Sequence, residues 1–139
     1  MNNPPAYVLD NQIGYVLRRV TQRHLAIFSE SIHEVTTTQF AVLARLAEKG
    51  PLSQNHLGRE TAMDAATIKG VVDRLVRQGL VETAPDPDDR RRLTVGLTAS
   101  GRTLYDGLLS TALAISSRTL DPLSPDEQAQ LVELLARLA

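Results

Sequence analysis

The sequence predicts a mostly α-helical chain carrying one small β-hairpin, on three observations. Apolar residues recur at helical spacing on both sides of residues 80–98, and within that stretch they alternate with period two instead. Helix-capping residues stand immediately before the periodic segments, at Ser53, Asp64 and Ser124-Pro125. The run Pro85-Asp86-Pro87-Asp88-Asp89 divides the alternating stretch in two, as the tip of a hairpin does.

In chain order, residues 1–8 begin Met-Asn-Asn-Pro-Pro and are expected to form a loose arm. From Asp10 to about Ile32 one helix is expected, with Ile13, Val16, Leu17, Val20, His24, Ile27 and Phe28 along one stripe. Such a helix spans roughly 30 Å, the diameter of a small domain, so part of its stripe must pack on another element or on a second chain. Val35-Thr36-Thr37-Thr38 disfavours helix, and one of its threonines caps a helix from Gln39 to Lys49. Phe40, Val42, Leu43, Leu46 and Ala47 face the core there, and Gly50-Pro51 ends it.

Ser53 caps a short helix with a weak apolar face at Leu57 and Ala62, and Met63-Asp64 breaks it. Asp64 caps the next helix, in which Ile68, Val71, Val72, Leu75 and Val76 form the buried stripe. Its opposite face, Ala65, Ala66, Thr67, Lys69, Gly70, Asp73 and Arg74, is small and polar. A slim face is what a helix needs to lie in a DNA major groove roughly 12 Å wide. Gly79 closes the helix as its C′ residue, with Arg77 opposing the dipole.

Leu80 to Thr83 reads as one strand and Arg91 to Thr98 as the other, alternating at Leu93, Val95 and Leu97. Arg90, Arg91 and Arg92 follow Asp88 and Asp89 at the hairpin tip, where cations can reach a phosphate backbone or enter a minor groove. A neighbouring aspartate can fix a guanidinium by bidentate hydrogen bonding. A helix from about Ser100 to Arg118 carries the seam Leu104, Leu108, Ala112 and Ile115, and Asp121-Pro122 interrupts it. Pro125 then opens a last helix lined by Leu131, Leu134, Leu135 and Leu138. The terminal helices hold more apolar side chains than a small core absorbs, which points to a dimer interface.

Composition agrees with one soluble globular domain: 139 residues, 42% apolar and 22% charged. A net charge of −1 argues at first against a nucleic-acid partner, but the arginines are concentrated at the hairpin tip while Asp121, Asp126, Glu127 and Glu133 lie near the C-terminus. The absence of cysteine excludes disulfides, thiolate metal sites and a thiol switch. His24, His33 and His56 match no compact metal-ligand spacing, so neither a metal nor a cofactor is expected. Without a phosphate loop, a nucleophile elbow or paired carboxylates in an apolar context, an enzyme is not expected. Nor does any apolar run reach the length of a membrane span; a cytoplasmic location is expected.

Specific motifs then add a family. The run Asp86-Pro87-Asp88-Asp89-Arg90-Arg91, followed by Leu97-Thr98 and by Gly101 opening a helix, resembles the wing signature of the MarR family of bacterial transcription regulators. Val72-Asp73-Arg74-Leu75 before Gly79-Leu80-Val81 resembles the end of that family's recognition helix, and Thr38-Gln39-Phe40-Ala41-Val42-Leu43 extends the likeness upstream. The resemblance implies a single MarR-like domain over residues 1–139: a winged helix-turn-helix DNA-binding lobe over 36–98, with dimerisation helices over 10–34 and 100–139.

It further implies a homodimer on double-stranded operator DNA, responding to a small anionic aromatic effector. Ala65, Ala66, Thr67, Lys69 and Gly70 would then face the major groove, with Arg74 and Lys69 at phosphates. Gly70 stands where many relatives carry a larger polar side chain. Arg91 would enter the minor groove, oriented by Asp89, with Arg90 the next candidate. Effectors in the family bind between the DNA-binding lobe and the dimer helices, which brings forward Tyr7, Tyr15, Arg18, Arg19, Arg23 and His24. These arginines fit ion pairs or DNA phosphates as well. The alternative function is a winged-helix protein-interaction or small-molecule-binding module without specific DNA binding.

Overall fold

The computed structural model describes residues 3–139. After a single 3₁₀ turn at Leu9–Asn11 the elements run α1 (Ile13–Ser31), α2 (Thr37–Lys49), β1 (Leu52–Ser53), α3 (Gln54–Glu60), α4 (Ala65–Arg77), β2 (Val81–Pro85), β3 (Leu93–Leu97), α5 (Ala99–Leu120) and α6 (Pro125–Leu138). They form two compact units. One is Ile32–Ala112; the other combines the chain up to Ser31 with Leu113–Ala139, so the division falls inside α5.

The core of the Ile32–Ala112 unit is built where helical and strand periodicities converge. Val42, Leu43 and Leu46 of α2, Leu57 of α3, Ile68, Val72 and Leu75 of α4 and Val95 of β3 are all almost completely shielded from water. The sheet has three antiparallel strands in the order β1-β3-β2, with Leu52 opposite Val95 and Val81 opposite Leu97. Strand β1 is absent from the sequence reading, because two residues are too few for any alternation to show. Pro85 lies in β2 opposite Leu93 instead of in the tip. Its missing N–H is tolerated because β2 is an edge strand and Pro85 is its last residue. Val76 leaves the expected stripe and stays exposed: eight residues beyond Ile68, the 3.6-residue period has carried it round to the rim.

Helix starts follow the caps. In α2 the Thr36 hydroxyl accepts from the Gln39 N–H (3.2 Å) and the Gln39 side chain accepts from the Thr36 N–H (2.9 Å), a reciprocal box that begins the helix at Thr37. The box also explains why a glutamine is buried there. The α1 helix begins later than expected, at Ile13, because Gln12 is extended and Leu9–Asn11 closes as a separate turn. Ser124 and Glu127 form a second reciprocal box at the start of α6.

Between α3 and α4 the chain turns tightly. A Cβ on Gly58 would press on the Met63 carbonyl and the Ile68 side chain, and Ala62 adopts a left-handed φ of 56°. The Glu60 carboxylate fastens α3 to α2: it receives Lys49 Nζ at 3.0 Å and His56 Nε2 at 3.2 Å, with Arg45 Nε at 3.6 Å. The Lys49 hydrogen bond is the chief reason that its pKa lies below the ordinary 4.5. A depressed carboxylate stabilises the fold above its unfolded pKa and loses that contribution as pH falls through the folded value. Glu60→Gln should therefore destabilise the protein at neutral pH. The gap to wild type in urea unfolding should close as pH drops well below 4.5.

The second unit is knit by the end of α5. Its last carbonyls have no partners within the helix, and the Arg23 guanidinium of α1 donates to those of Thr119 (2.6 Å) and Arg118 (2.9 Å). Arg118 pairs with Glu30 at 2.9 Å, and His24 Nδ1 lies 2.8 Å from the Thr119 hydroxyl.

At its other end α5 is anchored to the wing. The Thr98 hydroxyl donates to the Gly79 carbonyl (2.6 Å) and accepts from the Gly101 N–H (3.0 Å), while the Thr98 N–H donates to the Leu80 carbonyl (3.1 Å). Gly101 is buried against the Leu80 backbone with no room for a side chain.

Candidate nucleic-acid interface

The outer face of α4 is short-sided and open to solvent. Asp64 caps the helix by accepting from the Thr67 N–H at 2.7 Å, and that backbone bond, with the Thr67 hydroxyl second, holds its carboxyl below the usual range. Ala65, Ala66, Thr67, Lys69 and Arg74 are exposed, as the sequence reading has them, and Gly70 is half-buried with open space where a Cβ would stand. Lys69 is less available than its sequence position suggests. Its ammonium lies 2.8 Å from the Asp73 carboxylate one turn on, an exposed i,i+4 pair.

The wing tip is a small hydrogen-bonded loop. The Asp86 N–H donates to the Arg92 carbonyl and the Arg92 N–H to the Asp89 carbonyl, both at 2.9 Å, while Asp86 Oδ1 accepts from the Asp88 N–H at 2.9 Å. Asp89 then holds Arg91 at three points. Its Oδ1 accepts from the Arg91 N–H at 3.0 Å and from Nε at 3.2 Å, and its Oδ2 accepts from Nη2 at 3.5 Å. These bonds, the backbone one first, keep the Asp89 carboxyl below the usual carboxylate range. Arg92 Nε stands 3.7 Å from the same carboxylate. The Arg91 side chain is 92% exposed yet tethered at its base, a cation aimed outward with part of its rotamer freedom already removed. Arg90 is exposed beside it.

Between the wing and helices α3 and α4 runs a trough in two parts. One part, about 350 Å³, is lined by Gln54, Asp73, Val76, Arg77, Thr83 and Leu93. The other, about 190 Å³, is lined by Ser53, Gln54, Asn55, Arg91, Arg92 and Leu93. A helix in the major groove and a loop in the adjacent minor groove must straddle one sugar–phosphate strand, and Arg77, Arg92, Gln54 and Asn55 give this trough donors for phosphate oxygens. The sequence reading did not name Gln54, Asn55 and Arg77 among the candidate DNA-binding residues. Their place just after the Ser53 cap and in the last turn of α4 was the available signal.

The other predicted residues lie in or before α1. Tyr7 is 75% exposed, Tyr15 half-buried, and Arg19 has its guanidinium 6.0 Å from the Tyr15 ring centroid. Arg18 is exposed. Tyr15, Arg19 and Arg23 follow one another at i,i+4 along the helix, but Arg23 is committed to the α5 carbonyls. Among the described residues no cluster of histidine and acidic side chains is placed to hold a metal ion, and no helix is long and apolar enough to cross a membrane.

A helix pair with a slim outer face, flanked by an arginine-tipped hairpin, defines a winged-helix DNA-binding protein, and comparison with known proteins agrees. The MarR family model matches residues 33–92. Over 99% of its length the chain is 39% identical to the HTH-type transcriptional repressor NicR of Pseudomonas putida, covering 88% of that protein. A probable transcriptional regulator from Pseudomonas aeruginosa has a crystal structure that superposes with a TM-score of 0.91 at 53% identity, covering 95% of this chain and 100% of that one. BpsR of Bordetella bronchiseptica, whose DNA binding is regulated by 6-hydroxynicotinic acid, superposes with a TM-score of 0.92 at 38% identity over 96% and 97% of the two chains. The chain belongs to the MarR family and is a ligand-responsive, DNA-binding transcriptional regulator.

Proposed function

We propose that the protein is a homodimeric repressor that leaves its operator when a small hydroxylated aromatic acid binds. The observation that carries this reading is similarity over nearly the whole of this chain to NicR, a repressor, and to BpsR, whose DNA binding is regulated by 6-hydroxynicotinic acid.

Residues 10–34 and 100–139 are assigned to the dimer. Ile13, Leu113, Val132 and Leu138 are all more than half exposed in the single chain, and apolar side chains at such density are covered in an assembly. Two recognition helices related by a two-fold axis would then enter successive major grooves, roughly 34 Å apart, with Arg91 or Arg90 in the flanking minor grooves.

The chemistry of α1 suits a hydroxylated acid. Arg18 and Arg19 offer guanidinium groups for a carboxylate, and Tyr15 and Tyr7 offer ring surface and hydroxyls. His24 offers one defined atom. With the Thr119 hydroxyl donating to the Ile115 carbonyl at 3.0 Å, His24 Nδ1–H would donate to that hydroxyl at 2.8 Å and leave Nε2 for an effector hydroxyl.

Because a ligand shifts an equilibrium only through differential affinity, the effector must bind the DNA-incompetent form more tightly. Titrating a labelled promoter fragment at several salt concentrations tests the reading. A steep log–log salt slope and strong preference over random DNA support it, and equal binding to both overturns it in favour of a winged-helix module without operator specificity. Arg19→Ala should raise the effector concentration needed for release while leaving operator affinity near wild type. Unchanged release by 6-hydroxynicotinate would contradict the assignment of Arg19.

A further inference from the structure

We infer that α4 reads its operator through thymine methyl groups and not through hydrogen bonds to purine edges, so that A·T pairs dominate both beneath α4 and beneath the wing. The inference rests on the reading that α4 lies in the major groove.

The N-terminal residues of a recognition helix are the ones that reach base edges. In the first two turns of α4 the outward side chains are Ala65, Ala66, Thr67, Lys69 and Gly70, and Ile68, Val71 and Val72 are turned into the core. None is an arginine, asparagine or glutamine, and Lys69, the one side chain among them of a type that bonds guanine, is paired with Asp73 at 2.8 Å. At the cap, Asp64 spends Oδ1 on the Thr67 N–H. Thr67 is exposed and offers its γ-methyl, and the methyls of the exposed Ala65 and Ala66 stand beside it. Methyl groups on a helix recognise the C5-methyl of thymine. Arg74 and Arg77 lie in the last half of the helix, away from the N-terminal residues that reach base edges, and Arg77 lines the trough beside the wing, where its guanidinium suits the sugar–phosphate strand. The wing adds the same preference. Arg91, exposed and pre-oriented by Asp89, matches the negative potential of a narrow minor groove, a property of A·T tracts.

The test begins by selecting bound sequences from a random 30-base-pair duplex pool with the full chain. Single atoms of the enriched operator are then edited. Replacing thymine with deoxyuridine removes only the C5-methyl and should weaken binding about fourfold at each contacted position, the effect of burying one carbon group. Replacing guanine with 7-deazaguanine removes only N7 and should change nothing. Under the wing, inosine·cytosine should substitute for A·T, while G·C, with its N2 amino group in the minor groove, should not. Loss of affinity with 7-deazaguanine alongside silent deoxyuridine would overturn the inference and leave operator binding standing. A pool that yields no enriched sequence would overturn operator binding and the inference together.

Discussion

Arg91→Ala should weaken operator binding by about 10- to 100-fold, leave the oligomeric state and helix content intact, and lower the slope of log affinity against log salt by about one unit. Three features of the wing support a loss of that size from one exposed side chain. The Asp89 carboxylate meets the Arg91 guanidinium at two nitrogens and the Arg91 backbone N–H as well, so the cation is positioned before DNA arrives. The tip around it is closed by backbone bonds between Asp86 and Arg92 and between Arg92 and Asp89, so the loop does not have to be ordered on binding. With a net charge of −1, the protein has little general attraction to DNA to compensate. Arg91→Lys should fall between the two, since it keeps the charge and loses the fork. A dimer that dissociates on Arg91→Ala, seen on a sizing column, would show that the wing tip has been misplaced.

Gly101→Ala should destabilise the Ile32–Ala112 unit by about 1–3 kcal/mol, the usual cost of forcing atoms into a packed site. A Cβ at this position has to displace the Leu80 main chain, which cannot swing aside as a flexible side chain would. The Leu80 carbonyl accepts the Thr98 N–H, and the Thr98 hydroxyl ties Gly79 to Gly101, so one shift strains the whole joint between β2 and α5. The reading is a lower urea midpoint with an unchanged m-value. Because this joint also sets the base of the wing, weaker operator binding should accompany the lost stability. Gly70→Ala provides the contrast: nothing lies near its Cβ, and alanine favours helix, so stability should not fall.

How much of this was legible in the sequence varies with the length of the pattern involved. The stripe of α4, its Asp64 cap and the Gly79 terminus are local signals repeated over several turns, and all stand as read except Val76, where the helical period outran the core. The Asp89–Arg91 contact was legible because both residues belong to one short motif whose loop geometry forces them together. Strand β1 was not, because its pairing with β3 is set by residues more than forty positions away and not by its own two. The engagement of Arg23 was equally hidden: the family resemblance offered it as an effector ligand or an ion-pair partner, and only the distant end of α5 shows that carbonyls claim it. Lys69 and Asp73 stood four apart in plain view, yet the motif drew attention to the lysine alone. The trough lined by Gln54, Asn55, Arg77 and Arg92 brings together α3, α4 and the wing, so no contiguous stretch of sequence could display it.

On the proposed function, this winged helix holds a specific operator and releases it to a small hydroxylated aromatic acid. Fluorescence anisotropy of a labelled operator duplex, saturated with protein and titrated with 6-hydroxynicotinate beside unsubstituted nicotinate, tests it most directly. Full release by the hydroxylated acid is expected, with far weaker release by nicotinate, which lacks the hydroxyl that His24 Nε2 would receive. Operator retained at saturating concentrations of 6-hydroxynicotinate and of other hydroxylated aromatic acids, or anisotropy equal to that on random DNA, would contradict it.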